Sequence, residues 1–566
     1  MKPSADEKIT IPLREPAKVM RLARMGSFHQ TRLSFMRALL RRLERERWSI
    51  ERPIWRISAT SEGVAVYRAR GPESTYSLVC FAHHLDPEDR TDRVIAERWD
   101  STFTLMDGEP SEADIERLAA NVPLQEAGRC SERELVLSRA NKSVRLFEHV
   151  VNQLAQGLQP DVDQIEAVGY LMRTTAVYGN GKFGVADRDR IAGRPEFSGP
   201  FRAEMLTVWL IRSFTVELAE HLAKAKSPNT AVPLDRDIRR RLGVGNSTGL
   251  GMAPFLINHP SLLHTWMTAR ETALARVRSL PRATPKSIQV FVETLGRAAQ
   301  QVAGWRTVDD RQCARIADLI LDLDRLTARI ANGSLENDMP WDALYRWGEE
   351  TLTLEGQEML ASLLIEPYGD LVDELADTMG VDEDASFRID GALPLEQIVG
   401  LIERDYAWAL NTDYERTEAM ARFWYVSEEK LEPRLGERYA EPGAELEQPF
   451  AVGRDVAALY RALKETTHDS LAGFLLAHPE HRHTARRVQI AARYPYAEIR
   501  DNLVSAEMVP IDLLRCKLSF FGATRFDPRS DRWVRITMYK DAPFPDELGE
   551  VPADEWAFPP VHAVFA

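Results

Sequence analysis

The chain has 566 residues, enough for three to four domains of about 150 residues each and for a large buried core. Hydrophobic residues make up 44% and charged residues 28%, and 72 lysines and arginines against 86 aspartates and glutamates leave a net charge of −14. This composition excludes collagen, coiled-coil rods, wholesale disorder and small disulfide-linked scaffolds. The acidic balance also argues against a protein that coats nucleic acid, because phosphate binding needs a basic surface.

The sequence predicts a cytoplasmic protein. No apolar stretch approaches the roughly 18 residues that a membrane span needs, and the first residues form no apolar signal core. The four cysteines are scattered without a pairing rhythm, which is typical of a reducing compartment. We therefore expect neither a membrane nor a nucleic acid as a partner.

The first hundred residues predict one helix followed by a small sheet. Apolar residues recur at helical spacing over 17–47, and the many arginines between them indicate a face that meets solvent. Over 54–106, β-branched and aromatic residues alternate, which predicts about four antiparallel strands. A hairpin around Gly71 is the most specific of these predictions.

From Ser111 to about residue 485 the pattern is helical, and 202–226 is apolar nearly all round, as in a central buried helix. Helices are also predicted over 132–156 and 164–177, and the acidic runs 318–324 and 366–377 are interpreted as solvated faces. Beyond 487, strands are predicted at 488–490, 518–521 and 533–539, before a proline-rich tail.

The predicted fold class is a predominantly α-helical α+β protein, with a large helical core and small antiparallel β segments near both termini. Three regions follow from this pattern: an N-terminal helix with a small sheet over 1–110, a helical core over 111–430, and a C-terminal mixed region over 431–566.

Two glycine-rich loops are the strongest candidates for a functional site. The first, 178–184, offers a hydroxyl in Tyr178 and a cation in Lys182. The second, 243–254, holds four glycines in nine residues, a costly arrangement in chain entropy unless the conformation is needed. Glycine lets backbone N–H groups approach a ligand, and a following helix N-terminus favours an anion. The polar and glycine residues assigned to substrate binding here are Gly245, Asn246, Thr248, Gly249 and Asn258.

Three buried charges extend this candidate site. Arg173 precedes the first loop, and Glu204 and Arg212 lie on the apolar helix, where a charge needs a partner or a ligand. For each residue alone, an internal ion pair or a side chain that extends its charge to the surface is the slightly favoured interpretation. A helix of about twenty residues spans roughly 30 Å, so the two loops converge only if the chain returns along it or a second subunit contributes one of them.

Six residues in and just after the second loop form a further pattern: Gly245, Ser247, Met252, Pro254, Asn258 and Pro260. This pattern is similar in part to the signature loop of the fumarase and aspartase superfamily, a helical family that eliminates across a carbon–carbon bond beside a carboxylate. The spacing differs by several residues and the lysine of that family is absent, so the chain is not assigned to it. The resemblance implies that Ser247 is a proton-abstracting group.

The leading hypothesis is an enzyme that acts on a small anionic metabolite, expected to be a carboxylate, by lyase-like proton transfer. The proton-transfer candidates are Tyr178, Lys182, Ser247 and His259, with Arg173 or Arg212 holding the anion. No cofactor is assigned, and the long apolar helices are compatible with a homodimer.

The alternative hypothesis is a non-enzymatic helical scaffold or regulatory binding protein. Its partner would meet aromatic-dense segments around Trp341 and Trp408. A nucleotide- or flavin-binding enzyme is a third hypothesis without a recognisable fingerprint. The histidines between His468 and His483 predict a basic surface turn rather than a metal site, since neighbouring arginines repel a divalent cation.

Overall fold

The computed structural model describes most of the chain. The residues outside the description are 1–9, 87–97, 125–130, 175–193, 198–201, 247–259, 306–309, 334, 336–337, 380–386, 415–451, 502–514, 524, 529–533, 551, 553–555 and 557–566.

One mixed sheet of nine strands organises the described part of the chain, in the order β1-β2-β3-β4-β5-β6-β7-β9-β8. Neighbouring strands are antiparallel except for β6 and β7, which are parallel. The strands are β1 (Ser49–Ile57), β2 (Gly63–Arg70), β3 (Thr75–Ala82), β4 (Ser101–Asp107), β5 (Glu134–Lys142), β6 (Tyr170–Thr174), β7 (Gly243–Asn246), β8 (Arg525–Pro528) and β9 (Val534–Met538).

The mixed α+β class is confirmed, but the prediction of small β segments confined to the two ends of the chain is wrong. Strands β5, β6 and β7 come from the stretch that was predicted to be helical, and all three of the predicted regions contribute strands to the one sheet. The predicted helix over 132–156 is strand β5 followed by a helix, and that over 164–177 is a short helix followed by β6. These strands are buried on both faces, so they lack the polar alternation that identifies a half-exposed strand.

Helices surround the sheet and form the remainder of the core. They are α1 (Pro16–Val19), α2 (Leu22–Met25), α3 (Phe35–Arg45), α4 (Glu112–Asn121), α5 (Phe147–Ala155), α6 (Val162–Val168), α7 (Arg202–Lys226), α8 (Arg236–Arg241), α9 (Pro260–Arg278), α10 (Pro285–Gly304), α11 (Asp310–Ala331), α12 (Pro340–Thr351), α13 (Leu354–Ile365), α14 (Gly369–Val372), α15 (Leu395–Asp405), α16 (Ala407–Leu410), α17 (Val452–Glu465), α18 (Leu471–Ala477) and α19 (Arg482–Arg493).

Helix α7 packs on one face of the sheet and has the bounds that the sequence predicts. Its Phe214 ring lies 5.4 Å from that of Phe103 on β4, in an edge-to-face contact. The opposite face carries a smaller apolar cluster in which Met106 of β4 packs with Ile115 and Leu118 of α4. The sheet therefore separates two apolar layers, and α7 lies in the larger one.

The N-terminal helix is neither continuous nor solvated, which corrects the prediction for 17–47. It is divided into α1, α2 and α3, and α3 buries two of its arginines, Arg37 and Arg42. Arg37 donates two hydrogen bonds to Glu366, and Arg32 donates two to Asp373. The acidic run 366–377 therefore supplies partners for these arginines instead of a solvated face.

Two of the predicted C-terminal strands are helical. Residues 488–490 lie within α19, and 518–521 belong to a π-helix, Lys517–Phe521. The third prediction is confirmed by β9, and the hairpin around Gly71 is confirmed by its N–H group, which donates to the Ser74 carbonyl at 2.8 Å. Among the described helices, none is both long enough and apolar enough to cross a membrane.

Candidate functional site

Strands β6 and β7 lie side by side in the same direction, and each leads directly into one of the glycine-rich stretches. Arg173, the last residue but one of β6, is the Cα partner of Gly245 on β7. Helices α7 and α8 lie in the connection, so this part of the chain is a β-α-β unit. Because the carboxyl ends of parallel strands meet at one edge, the stretches after Thr174 and Asn246 begin at neighbouring positions.

Helix α7 directs its N-terminus to the same edge. Arg212, in its middle, donates to the Leu242 carbonyl beside the start of β7, and Lys226, at its C-terminus, donates to Asn152 of α5. Helix α5 follows the end of β5, and because β5 runs antiparallel to β6, β5 ends toward the beginning of β6. The helix therefore runs from the carboxyl ends of the strands toward their beginnings, and Glu204 lies in its first turn at the carboxyl edge. A helix N-terminus of this kind favours an anion.

The glycines of β7 are explained by close strand packing. A Cβ atom on Gly245 would lie 2.8 Å from the Tyr170 ring and 2.9 Å from Cγ of Arg173, and one on Gly243 would lie 2.3 Å from the Met538 carbonyl oxygen. The sequence predicts a glycine-rich loop at both positions, whereas the structure places them in strand β7. Their absent side chains make room for the neighbouring strands β6 and β9.

Arg212 supports the C-terminal segment of the chain. Its guanidinium donates to the carbonyls of Leu242 (2.6 Å), Ala542 (2.7 Å) and Arg240 (2.9 Å), and it lies 3.8 Å from the Phe544 ring. These contacts satisfy its donors within the fold. Arg212 therefore makes internal contacts with backbone carbonyls, whereas the sequence left open whether it pairs internally or binds a ligand.

The predicted site residues divide into three groups. Arg173, Gly245 and Asn246 come together at the carboxyl edge, with Glu204 on the helix that begins there, whereas Arg212 lies near the start of β7. The remaining seven stay predictions, because they lie outside the described residues: Tyr178, Lys182, Ser247, Thr248, Gly249, Asn258 and His259.

A second group of polar residues, which the sequence did not indicate, lies beside this edge. Ile536 of β9 is the Cα partner of Asn246, and it belongs to an apolar cluster with Phe28, Leu518 and Ala523. Around that cluster the chain buries an unusual number of polar side chains from 27–34 and from 515–519. We call them the buried polar centre: Ser27, His29, Thr31, Ser34, Arg515, Lys517 and Ser519.

Hydrogen bonds join the two segments of the buried polar centre. The Ser519 hydroxyl lies 3.1 Å from the Ser27 carbonyl and 3.0 Å from that of His29, and it accepts from the Ser27 N–H at 2.6 Å. The Thr31 N–H donates to the Ser519 carbonyl at 2.9 Å. The segment before α3 is therefore held along the π-helix, a form that is frequent at functional sites.

Lys517 of the buried polar centre and the neighbouring Glu355 have perturbed pKa values. Arg515 donates to Glu355 of α13, which also accepts from the Phe28 N–H at 3.1 Å. Burial raises the pKa of Glu355 despite the opposing effect of Arg515. Burial lowers the pKa of the Lys517 ammonium to about 7, which makes the amine partly neutral at physiological pH.

Two hydroxyls of the buried polar centre have no hydrogen-bond partner among the described residues, Thr31 Oγ1 and Ser34 Oγ. Both side chains are almost fully buried, at 2% and 0% exposure. Buried polar atoms in native structures are nearly always paired, so each one without a partner calls for an explanation such as a bound molecule. The one feature of the sequence that could have pointed to this group is the polar run that begins at Ser27 within a mostly apolar helix pattern.

Gly522, at the end of the π-helix, provides a test of how tightly these segments pack. Its φ is +99°, and an added Cβ would lie 2.8 Å from Ser34 Oγ. We expect Gly522→Ala to lower the free energy of unfolding by about 2 kcal/mol. Gly296→Ala is the matched control: nothing lies within 4 Å of that helical position, so a gain of up to about 1 kcal/mol is expected. Chemical denaturation measures both, and an unchanged Gly522→Ala would contradict this packing.

Comparison of the chain with protein-family models, with curated proteins and with solved structures finds no match. Within the part of the chain that the structure describes, no group of three or more His, Cys, Asp or Glu residues is placed to hold a metal ion.

Proposed function

We propose that the protein is an enzyme that binds a small carboxylate-bearing metabolite at the carboxyl ends of β6 and β7 and transfers a proton on it. The observation that carries the proposal is the parallel pairing of Arg173 with Gly245, which gives both glycine-rich stretches neighbouring starting points. A ligand crevice outside the carboxyl ends of parallel strands is the general rule for open sheets with helical crossovers.

The chemistry of this edge suits an anion. The Arg173 side chain is 7% exposed, so a guanidinium–carboxylate contact there is shielded from water and strengthened. The N-terminus of α7 adds the positive end of the helix dipole. Asn246 adds an amide able to donate and accept hydrogen bonds.

The alternative, a scaffold that meets a partner through its aromatic segments, has less support. Trp341, Tyr345 and Tyr406 are 0–2% exposed and fill the core. Aromatic residues that fill a core are not available for an interface unless the fold opens. We therefore favour the enzyme.

The narrower parts of the hypothesis belong to this proposal as well. They are the lyase-like reaction, the cytoplasmic location, a homodimer, the absence of a nucleic-acid or membrane partner, and the proton-transfer roles of the residues beyond Thr174 and Asn246. No cofactor is assigned. The chemistry considered needs only a base, an acid and an anion site.

A thermal-shift screen of small carboxylates, phosphates and nucleotides tests the proposal first. A ligand at a hundred times its Kd adds about 2.7 kcal/mol to the free energy of unfolding. For the carboxylate with the largest shift, we expect Arg173→Gln to weaken binding about 10- to 100-fold by calorimetry, because a charge-assisted hydrogen bond is lost.

The matched control is Arg278→Gln. Arg278 is as buried as Arg173, but it donates to Asp342 at 2.7 and 2.9 Å, remote in sequence from the proposed edge. This variant should lose stability and keep its affinity. No response across the screen, or equal losses of affinity in both variants, would favour the scaffold.

A further inference from the structure

We propose that residues 494–501, which we call the C-terminal clasp, form a pH-sensitive contact between α9 and the N-terminal segment 10–25. The clasp holds the two together while His264 of α9 is neutral, and protonation of His264 releases it. The clasp directly follows α19. The inference goes beyond the proposed function and does not depend on it, because no ligand takes part.

Hydrogen bonds tie the C-terminal clasp to the N-terminal segment. The Tyr496 hydroxyl donates to the Arg14 carbonyl at 2.6 Å, and the Arg500 N–H donates to the Met20 carbonyl at 2.7 Å. These partners come from opposite ends of the chain. The position of the N-terminal segment therefore depends on the position of the clasp.

His264 is the contact between the C-terminal clasp and α9. Its Nδ1 accepts a hydrogen bond from the Tyr496 N–H at 3.3 Å and lies 3.5 Å from the Thr268 hydroxyl. Its ring stacks on that of Tyr496, with the centroids 6.0 Å apart, and lies 5.2 Å from that of Tyr494. A backbone N–H can only donate, so Nδ1 carries no proton and the neutral ring holds its hydrogen on Nε2.

Protonation of His264 reverses the role of this nitrogen. An imidazolium carries an N–H group at both ring positions, so Nδ1 would present a donor to the Tyr496 N–H, which is itself a donor. The hydrogen bond is then lost, because the backbone group cannot become an acceptor. The contact therefore forms only with the neutral ring.

The surroundings of the ring favour its neutral form. Burial is the cause that lowers the pKa of His264. Burial also raises the pKa of Tyr496 to about 12, so this phenol stays protonated, and the Arg493 guanidinium lies 5.4 Å from the centroid of the Tyr494 ring. The other charged side chains on the elements packed here are paired with one another: Arg14 with Glu271, Arg487 with Glu498, and Arg500 with Asp405.

The direction of the pH effect follows from the lowered pKa of His264. An unfolded histidine titrates at about 6.5 and the folded one below that value, so between the two values the open state binds more protons. The stabilisation from this contact is fully present above about pH 6.5 and is lost as the pH falls through the folded pKa. The clasp should therefore open more often in mild acid.

Hydrogen–deuterium exchange of the full chain at about pH 7.5 and about pH 5 tests the inference, with each rate divided by the intrinsic exchange rate at that pH. For the peptides that cover 14–22 and 494–501, we expect about three- to tenfold more frequent opening at the lower pH, because one hydrogen bond is lost. The peptide that covers 101–107 in β4 should not respond. An equal response there would mean that the whole fold loosens, and it would overturn the inference.

Two substitutions make the test specific. His264→Asn places an amide oxygen near the position of Nδ1, where it can accept from the Tyr496 N–H without titrating, so the clasp should open equally at both pH values. His478→Asn is the matched control, since His478 precedes α19 and stacks on the Phe474 ring at 4.8 Å, and it should respond like wild type. A wild-type clasp that opens equally at both pH values, or a His264→Asn clasp with the full wild-type response, would also overturn the inference.

Discussion

Replacing Glu271 with glutamine is expected to lower the free energy of unfolding by about 3–5 kcal/mol, among the largest effects of a single substitution in this fold. Glu271 is fully buried on α9 and accepts hydrogen bonds from Arg14 at 2.7 and 2.8 Å and from Arg270 at 2.8 and 3.0 Å. Without its charge, two buried guanidinium groups share the single carboxylate of Glu358. Chemical denaturation at neutral pH measures the loss.

The pH dependence of stability gives an independent check on Glu271. Burial alone would raise the pKa of its carboxyl, but Arg14 and Arg270 overcome that effect and lower it to about 2. Because the folded pKa lies below the unfolded value of about 4.3, this group stabilises the fold by roughly 3 kcal/mol above pH 4.3. That contribution is lost as the pH falls toward 2.

Glu293→Gln is the control for this prediction. Glu293 is exposed on α10 and hydrogen-bonds only Gln289 among the described residues, so a change within about 0.5 kcal/mol is expected. If Glu271→Gln were as stable as this control, the buried network would contribute nothing to the fold.

Replacing Lys517 with methionine is expected to have the opposite effect to Glu271→Gln. It should raise the free energy of unfolding at neutral pH by about 3 kcal/mol. Methionine has a similar length and no charge. The substitution therefore removes the free-energy cost of burying a side chain that is an ammonium ion in water. Denaturation of both proteins over a series of pH values measures it.

The sign of the pH effect follows from the two pKa values of Lys517. Its folded pKa of about 7 lies below the unfolded value of about 10.4, so between these values the unfolded chain binds more protons and stability rises with pH. The advantage of Lys517→Met should therefore be largest below pH 7 and vanish near pH 10. Lys142→Met is the control and should destabilise, because it leaves the buried Asp100 without its ammonium. A Lys517→Met protein less stable than wild type at every pH would assign this lysine a structural role.

The elements that the sequence predicted well are those whose pattern is local. The bounds of α7 follow from a long and mostly apolar run, and the hairpin at Gly71 follows from turn residues between two alternating strands. Strands β6 and β7 have no such pattern. They are short and buried, and their pairing joins residues about seventy positions apart, so only the assembled sheet identifies them.

The charges of the N-terminal segment show a second limit. Its arginines indicated a solvated face by composition, but Arg14, Arg32 and Arg37 pair with carboxylates more than 250 residues away. Spacing along a helix reports which residues share a face and not which distant element covers that face. The same limit hid Lys517, which lies in a run that resembles a strand and forms a π-helix around its partners.

Hydrogen–deuterium exchange of the full chain, with and without the carboxylate that gives the largest thermal shift, tests the central claim most directly. The account predicts slower exchange in the peptides that cover 170–174 and 243–246, with little change in the exposed turn near His478. Protection confined to other parts of the chain, with these two strands unchanged, would contradict a ligand site at the carboxyl ends of β6 and β7.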